Sequence, residues 1–300
     1  MMDCGWDLFQ TLAQGETFDM KAFIRKHTPR AVWTRLSKAK YSVVDSIDYA
    51  LGRRAEMLPP RSLRLFNAGD GDYGAIGEEF VGYFRQFCDL QRDHHVLDVG
   101  CGVGRMAIPL TKYLSPQGGY EGIDVGSEGI KWCSNHITPR FQNFRFQWAD
   151  IFSEGYNRKG AVHASDYRFP FEDNSFEFAF LTSVFTHMLP DDVKNYLAEL
   201  GRVLKPGGKC LITWLTLNAE SERLIQEGRS ALKVVHPLGI CRIMNPQVPE
   251  DAVAYPEQSI LDLYRQAGFR IELPIRYGSW CGRDAFLSFQ DIYVARKLEG

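Results

Sequence analysis

The sequence predicts an α/β protein built on a doubly wound, mostly parallel sheet. From about residue 61 to residue 218, short apolar runs alternate with stretches of helical periodicity, which is typical of βαβ units. The first apolar run ends in a glycine cluster, as expected where a strand turns into a helix at a binding crevice. Two further strand-like runs come after residue 268 and extend the predicted sheet.

Five apolar runs are predicted as the central strands. They cover residues 95–99, 119–124, 144–148, 176–181 and 209–214. Between the last two, apolar side chains recur at spacings of three and four over residues 190–204, which predicts a helix. The following Lys205-Pro206-Gly207-Gly208 predicts a tight turn into the fifth strand.

The flanking segments are predicted to be helical. Residues 1–60 form an N-terminal helical cap that ends at Pro59-Pro60, because proline stops a helix. Residues 61–300 form the main domain, in which residues 219–256 are expected to be a helical lid with a proline-containing loop. A helix at 259–268 and strands at 269–273 and 289–295 follow, and the final strand is expected to run antiparallel.

The composition is that of an ordinary globular protein of 300 residues, 45% hydrophobic and 24% charged. The formal net charge of −2 points to no polyanionic partner, so no nucleic acid is expected. Seven scattered cysteines contain no C-x-x-C pair, which predicts neither a metal site nor a disulfide framework but reduced thiols in the cytoplasm. No run approaches the ~20 apolar residues that cross a bilayer, and no signal peptide is evident.

Residues 21–40 carry seven lysines and arginines and no acid, with apolar side chains interleaved. A basic amphipathic helix of this kind can lie on an anionic membrane or on nucleic acid. The balanced charge of the whole chain favours the alternative, in which the segment is the solvated outer face of the N-terminal cap. Peripheral membrane contact is therefore the less favoured interpretation.

The glycine cluster after the first strand reads Gly100-Cys101-Gly102-Val103-Gly104. Glycines let the backbone adopt positive φ and approach a ligand closely, and a following helix aims its first amides into the same space. Gly102, Gly104 and Ala107 also fit a degenerate dinucleotide fingerprint. The loop alone leaves the identity of the ligand open.

Three acidic residues narrow the choice of ligand. Asp98 lies two residues before Gly100, where a carboxylate can anchor the loop. Asp124 ends the second predicted strand, where an acidic side chain can accept both hydroxyls of a ribose. Asp150 follows the third strand and can accept from an adenine amino group, with Ile151 beside it to pack on the ring. These positions predict a cofactor that contains adenosine.

Four segments in this order resemble the motifs of the class I S-adenosylmethionine-dependent methyltransferases. VLDVGCGVG (96–104) resembles their motif I, EGIDV (121–125) their ribose-binding strand, ADI (149–151) their adenine-binding segment, and RVLKPGG (202–208) the turn before their fifth strand. The resemblance covers about residues 61 to 217. It implies a Rossmann-like, seven-stranded sheet with an antiparallel final strand, S-adenosyl-L-methionine as cofactor, and no metal. One departure is Pro109, which is expected to kink the first helix.

The resemblance also assigns residues to the cofactor. The implied cofactor-binding set is Asp98, Gly100, Cys101, Gly102, Gly104, Asp124, Val125, Asp150, Ile151 and Thr182. Of these, Cys101 is equally interpreted as a small side chain that fills space. SVFTHM (183–188) resembles a bacterial subgroup whose members methylate small molecules, often sugars or secondary metabolites. It implies a small-molecule acceptor that is methylated on a hydroxyl.

The chemistry needs little from the protein beyond alignment, because the sulfonium already makes the methyl group electrophilic. A hydroxyl acceptor benefits from a general base, and His187, after the fourth strand, is the candidate. Tyr73, Phe185 and Trp280 are expected to line the acceptor pocket. The competing interpretation of all four is structural: the histidine bonds nearby backbone and the aromatic rings pack on the core.

Rival functions stay open beside this one. In the first, the acceptor atom of the small molecule is nitrogen or carbon instead of oxygen. In the second, the domain is a catalytically inactive scaffold that binds the cofactor. RNA methylation is disfavoured because Leu181-Thr182-Ser183-Val184 stands where an Asn/Asp-Pro-Pro-Tyr-type motif is expected. An NAD-linked oxidoreductase is disfavoured by the Pro206-Gly207-Gly208 turn and the antiparallel final strand. The sequence leaves the acceptor and the oligomeric state open.

Overall fold

The computed structural model describes residues 30–52, 57–67, 72–155 and 157–299. The chain divides into two compact units, residues 1–65 and residues 66–300. Of the predicted basic segment, residues 21–29 and the side chains up to residue 38 lie outside the described part. Residues 30–40 belong to a helix. Within the described residues, no helix is long and apolar enough to cross a membrane.

The first unit contains helix α1 (Arg30–Ala50) and the start of helix α2 (Arg61–Asn67). Asp45 on α1 caps α2: its carboxylate accepts from the Arg61 amide at 2.9 Å and from the Ser62 amide at 3.1 Å. These amides have no partner inside α2, so a distant carboxylate satisfies them.

The second unit contains the strands and the remaining helices. The strands are β1 (His95–Val99), β2 (Gly119–Asp124), β3 (Phe144–Trp148), β4 (Phe176–Leu181), β5 (Leu204–Trp214), β6 (Thr216–Leu217), β7 (His236–Leu238), β8 (Cys241–Ile243), β9 (Val253–Pro256), β10 (Phe269–Arg276) and β11 (Asp291–Lys297). The helices are α3 (Tyr73–Cys88), α4 (Ala107–Tyr113), α5 (Ser127–His136), α6 (Pro190–Val203), α7 (Ala219–Gln226) and α8 (Glu257–Gln266).

The main sheet has seven strands in the order β10-β11-β5-β4-β1-β2-β3. Strands β3, β2, β1, β4 and β5 pair in parallel, whereas β11 is antiparallel to both β5 and β10. The predicted seven-stranded α/β sheet with an antiparallel final strand is therefore confirmed. The order reverses between β1 and β4, which is where a doubly wound sheet opens a crevice at its carboxyl edge.

Helices cover both faces of the sheet. On one face Phe84 of α3 packs on Phe178 and Phe180 of β4, with ring centroids 5.1 and 4.4 Å apart. On the other face α6 buries Val193, Leu197 and similar residues in the main apolar core. Burial of apolar surface stabilises a fold by roughly 25 cal/mol per Å². The apolar contacts of the helices with both faces of the sheet are therefore the main source of stability.

The glycine-rich loop delays the first crossover helix. Gly102 and Gly104 both have positive φ, so α4 begins only at Ala107 and not near Val103. Pro109 consequently lies in the first turn of α4, where its missing amide would have had no partner. The expected kink at Pro109 was wrong for this reason.

The predicted turn at 205–208 becomes an irregularity at the start of β5, because Phe176 pairs with Leu204 and Phe178 with Lys209.

The insertion after β5 is less helical than expected. It begins with α7 and continues as a four-stranded sheet in the order β6-β9-β8-β7. Pro237, Pro246 and Pro249 break helical continuity, and Gly239 has φ 56°, which suits the turn between β7 and β8. The β-branched side chains that flank these prolines favour strands.

Candidate functional site

The loop between β1 and α4 depends on glycine. Gly100, Gly102 and Gly104 have φ of 87°, 56° and 80°. The Gly100 amide donates to the Ile123 carbonyl at 2.8 Å, which ties the loop to the end of β2. A Cβ on Gly100 would lie 2.4 Å from Val184 Cγ2, so the loop after β4 already occupies that space. The two loops that flank the crevice are therefore in direct contact.

Asp124, at the end of β2, fixes this loop from the side. Its Oδ2 accepts from the Gly102 amide at 2.7 Å and its Oδ1 from the Gly126 amide at 2.6 Å. Burial raises the pKa of the carboxyl, and the two amides act against that rise. A carboxylate offers about four acceptor positions, so one on each oxygen is still free for a ligand hydroxyl.

Asp98, at the end of β1, lies beneath the loop and is 2% exposed. Its Oδ2 accepts from the Tyr120 hydroxyl at 2.6 Å. Its Oδ1 is buried and has no hydrogen-bond partner in the described part of the chain. Burial raises the pKa of Asp98 to about 8. A buried carboxyl with one unused oxygen is costly unless a ligand or solvent donates to it.

Cys101 and Tyr73 shape the loop from within. The Cys101 side chain is buried, and its Sγ would be 3.0 Å from a Cβ on Gly122. Burial raises the pKa of its thiol well above the usual range. The Tyr73 hydroxyl donates to the Val103 carbonyl at 2.8 Å. Both side chains are buried and support the loop from within.

The segment after β3 carries the predicted adenine contacts. Asp150 is half-buried, and its Oδ1 accepts from Asn157 Nδ2 at 3.0 Å. Ile151 is 3% exposed and packs in the main core. Trp148 donates its indole N–H to the Val125 carbonyl at 3.1 Å while its ring stays 48% exposed. The structure therefore brings Val125 and Asp150 to the same edge of the sheet as Asp124.

The loop after β4 has an unusual backbone at Ser183, whose φ is 61°. A non-glycine residue in this region costs roughly 1–2 kcal/mol, so its surroundings must hold it there. The Ser183 amide donates to Thr213 Oγ1 at 2.7 Å, the Thr213 hydroxyl to Gln290 Oε1 at 2.6 Å, and the Gln290 amide to Ser183 Oγ at 2.9 Å. Thr182, the predicted cofactor contact, precedes this ring of three hydrogen bonds and is half-buried.

His187 belongs to a short 3₁₀ turn, Phe185–His187, after β4. Its Nδ1 lies 2.8 Å from the Glu250 carbonyl, within the insertion. A carbonyl can only accept, so Nδ1 carries a proton, and in the tautomer that this contact selects Nε2 is the nitrogen with the lone pair. The Glu250 carboxylate accepts from the Glu154 amide at 3.2 Å, which connects the insertion to the segment after β3.

The predicted acceptor-lining residues do not come together. Phe185 is fully buried and packs edge-on against Trp214, with centroids 4.8 Å apart. Trp280 is also fully buried and donates its indole N–H to Asp291 Oδ2 at 2.9 Å. Asp291 accepts further from the amides of Gly278 and Thr216, both at 2.6 Å. Trp280 therefore belongs to a buried polar network between the insertion and β11.

Sequence reasoning missed Tyr120, Thr213, Gln290 and Glu250. The Gln290–Ser183 contact joins residues 107 positions apart, and the His187–Glu250 contact joins residues 63 apart. Glu250 contributes a backbone carbonyl, which any residue type supplies. Tyr120 is the exception, since a tyrosine in a buried strand one strand away from a buried acid signals a partner for that acid.

The site fits an adenosine-containing cofactor on three observations. The three loop glycines have positive φ, which other residues avoid, Asp124 keeps free acceptor positions, and Asp98 Oδ1 is unsatisfied. In the described residues, no group of three or more His, Cys, Asp or Glu side chains is placed to hold a metal ion.

Comparisons with known proteins agree with this geometry. Residues 97–212 match the protein-family model described as a methyltransferase domain. The demethylmenaquinone methyltransferases of Staphylococcus aureus strains JH9 and Newman are 35% identical over 126 residues, which is 41% of this chain and 45% of each relative. The chain therefore spans less than half the length of these curated relatives.

Two solved structures share the fold. The PH0226 protein from Pyrococcus horikoshii OT3 superposes with a TM-score of 0.55 at 17% identity, covering 80% of this chain and 97% of that one. The [4+2]-cyclase SpnF superposes with a TM-score of 0.51 at 18% identity, covering 78% and 85%. Because one of them is named a cyclase, the fold by itself does not fix the reaction.

The sheet order, the loop and the family match together define the class. Residues 97–212 match the methyltransferase domain model, and the sheet order with its antiparallel final strand is the one that the resemblance to class I S-adenosylmethionine-dependent methyltransferases implied.

Proposed function

We propose that this chain is an S-adenosylmethionine-dependent methyltransferase that transfers the methyl group in line to a hydroxyl of a small molecule. The observation that carries the proposal is the position of Asp124, which holds both Gly102 and Gly126 and still has one acceptor position free on each oxygen. Two adjacent ribose hydroxyls are the natural donors for such a pair of positions.

The cofactor is held along the carboxyl edge of the sheet. Asp124 accepts from its ribose, Asp150 and Ile151 contact its adenine, and Val125 packs beside them. Backbone at Gly100, Gly102 and Gly104 and at Thr182 lies against the remainder, while Asp98 and Cys101 support the loop from below. When bound, the cofactor supplies an electrophilic methyl group on a sulfonium.

His187 is the proposed general base. Its Nδ1 is fixed by the Glu250 carbonyl at 2.8 Å, which leaves Nε2 able to accept the proton of an attacking hydroxyl. The same contact ties the base to the insertion. Closure of the insertion over an acceptor would then place the base and exclude water in one step.

The acceptor surface needs different residues from those that the sequence indicated. Phe185 and Trp280 have no exposed side-chain surface, so we leave them out of the proposed acceptor contacts. Tyr73 is proposed to act as a support of the Val103 backbone, to which its hydroxyl donates at 2.8 Å. The acceptor itself is proposed to lie between the loop after β4 and the insertion.

Location and domain organisation belong to the same proposal. The six cysteines that the structure describes are buried free thiols, which supports a reducing cytoplasm as the location. The division into an N-terminal helical cap at 1–60 and a methyltransferase domain at 61–300, with the lid at about 219–256, is proposed as the functional organisation.

Calorimetric titration tests the proposal first. The purified chain should bind S-adenosylmethionine and S-adenosylhomocysteine and should not bind NAD. If the chain bound NAD instead, the proposed function would be wrong and an NAD-linked oxidoreductase would be favoured. Labelled methyl transfer to a panel of hydroxylated sugars and aromatic metabolites then tests the acceptor class; cofactor binding with no transfer to any acceptor would favour an inactive scaffold.

A demethylated quinone is the second candidate acceptor. The observation that favours it is the 35% identity over 126 residues to demethylmenaquinone methyltransferases. Including demethylmenaquinone in the same panel separates the two candidates, and analysis of the product by mass spectrometry distinguishes transfer to oxygen from transfer to carbon or nitrogen.

A further inference from the structure

Gln290 connects the last strand of the sheet to the loop after β4. Its side-chain amide donates to Ser183 Oγ at 2.9 Å, and its Oε1 accepts from the Thr213 hydroxyl at 2.6 Å. The Ser183 amide completes the ring by donating to Thr213 Oγ1 at 2.7 Å. One residue next to β11, one in β5 and one after β4 are thereby held in a fixed arrangement, although Gln290 and Ser183 are 107 positions apart.

The ring stabilises a backbone conformation that serine alone avoids. Ser183 has φ 61°, in the left-handed region where an L side chain meets its own backbone. Its amide and hydroxyl are both bonded within the ring, so the ring can offset the cost of that conformation. Val184, the next residue, packs directly against Gly100, where a Cβ would be 2.4 Å from Val184 Cγ2. The conformation of Ser183 therefore determines how the two loops meet.

The order of the strands places this contact relative to the cofactor. Asp124 ends β2 and Asp150 follows β3, so adenosine lies over those two strands. The neighbours of β2 on the other side are β1 and then β4. A molecule that extends from its adenosine across the crevice consequently directs its other end over Gly100 and the loop that contains Ser183.

We propose that Gln290 is a positioning residue for the methionine end of the cofactor, acting through the backbone of Ser183 and Val184. This inference rests on the proposed function, because it presupposes that the site binds S-adenosylmethionine. Glutamine suits the role since it both donates to Ser183 and accepts from Thr213. Glutamate has the same shape but lacks the donor, and it would place a negative charge beside the Ser183 hydroxyl.

The test compares two ligands that share adenosine. Affinities of S-adenosylmethionine and adenosine are measured by calorimetry for wild type, Gln290→Ala and Gln290→Glu. We expect each variant to bind S-adenosylmethionine at least 10-fold more weakly and adenosine within 2-fold of wild type. A residue with a merely structural role would weaken both ligands equally, and that result would overturn the inference, as would unchanged affinity for S-adenosylmethionine.

Rescue by glycine provides the second readout. Glycine adopts φ near 61° without the cost to serine, so Ser183→Gly combined with Gln290→Ala should recover most of the lost affinity for S-adenosylmethionine. Absence of recovery contradicts the proposed action through the Ser183 backbone. If the glutamine variants unfold, Thr213→Val replaces them in the test. It removes the Thr213 hydroxyl, and with it two of the three hydrogen bonds of the ring, at similar side-chain volume. It should lower the affinity for S-adenosylmethionine as Gln290→Ala does.

The matched control is Gln266→Ala, at the exposed end of α8 and outside the ring of hydrogen bonds. It should leave both affinities unchanged.

The proposed function and the proposed role of Gln290 are contradicted by different results. Wild type that binds neither ligand overturns the proposed function and this inference with it, whereas wild type that binds both, with Gln290→Ala indistinguishable from it, overturns this inference alone.

Discussion

The amide of Gly102 donates to Asp124 Oδ2 at 2.7 Å, so the end of β2 directly sets the shape of the loop after β1. Asp124 therefore has two roles, one toward the backbone and one toward the ligand. A change at Asp124 should consequently affect the loop and the ribose contact together.

Asp124→Ala should weaken binding of S-adenosylmethionine by about 100-fold or more. Two hydrogen bonds from the ribose to a charged acceptor, at roughly 1.5 kcal/mol each, correspond to that factor. Calorimetry measures it directly. Glu121→Gln, on the same strand and half-buried beside Gln147, is the control and should bind normally. Normal affinity in Asp124→Ala would remove the observation on which the proposed function depends.

Asp98 should make the protein less stable as the pH rises. Its pKa is raised to about 8 in the folded protein, whereas an unfolded aspartate titrates near 3.9. Between these values the folded state holds a proton that the unfolded state has lost. The free energy of unfolding should therefore fall by up to about 1.4 kcal/mol per pH unit from this group alone, and level off above pH 8.

Asp98→Asn should remove that contribution while keeping an acceptor for the Tyr120 hydroxyl. Urea unfolding from pH 5 to pH 9 would show the variant gaining stability relative to wild type as the pH rises. Glu299→Gln, a change of one exposed carboxyl, should follow wild type throughout. A constant difference between Asp98→Asn and wild type across this range would mean that Asp98 is already ionised at pH 5.

Gly100→Ala should destabilise the protein for two separable reasons. The left-handed backbone costs an alanine roughly 1–2 kcal/mol, and the clash with Val184 adds roughly 1–3 kcal/mol. Adding Val184→Ala should relieve the clash alone, which a double-mutant cycle of unfolding free energies resolves. Gly82→Ala in α3 meets nothing within 4 Å and should instead stabilise by about 0.5–1 kcal/mol. Additive effects at positions 100 and 184 would argue against contact between the two loops.

His187→Gln should reduce the rate of methyl transfer by about 10²- to 10⁴-fold, the usual contribution of a general base. The measurement uses whichever hydroxyl acceptor the panel identifies, over a range of pH. Affinity for S-adenosylmethionine should be unchanged, since the histidine is proposed to act on the acceptor and not on the cofactor. His236→Gln, on the exposed strand β7, should behave as wild type. Unchanged turnover in His187→Gln at every pH would leave the histidine with only its structural contact to Glu250.

Local patterns in the sequence were enough to predict the central strands and the glycine loop. Each depends on residues close together in the chain, such as Asp98 two positions before Gly100. Asp124 was predicted because strand ends in this topology meet at one edge. The seven-stranded sheet followed from the alternation of elements and from the resemblance, and the structure confirmed it.

Contacts between distant segments were beyond such patterns. The Ser183–Gln290 pair and the His187–Glu250 carbonyl contact arise only when the insertion and β11 pack against the loop after β4. Trp280 was expected to line a pocket because the sequence around it does not indicate whether an aromatic residue between two strands is buried or exposed. Its burial depends on Asp291, which accepts hydrogen bonds from Gly278, Trp280 and the distant Thr216 at once. The strands of the insertion were missed because prolines mark the end of a helix without indicating which kind of element comes next.

Strand β11 lies between β5 and β10, although it follows both of them in the chain. On the ribosome, β5 must therefore wait with an unpaired edge until residues 291–297 have emerged, and such an edge invites pairing with other chains. Gln290 arrives with the same strand. Completion of the sheet and organisation of the loop after β4 are thus one event in folding, so a nascent chain that stops before this strand should have neither a protected edge nor a finished crevice.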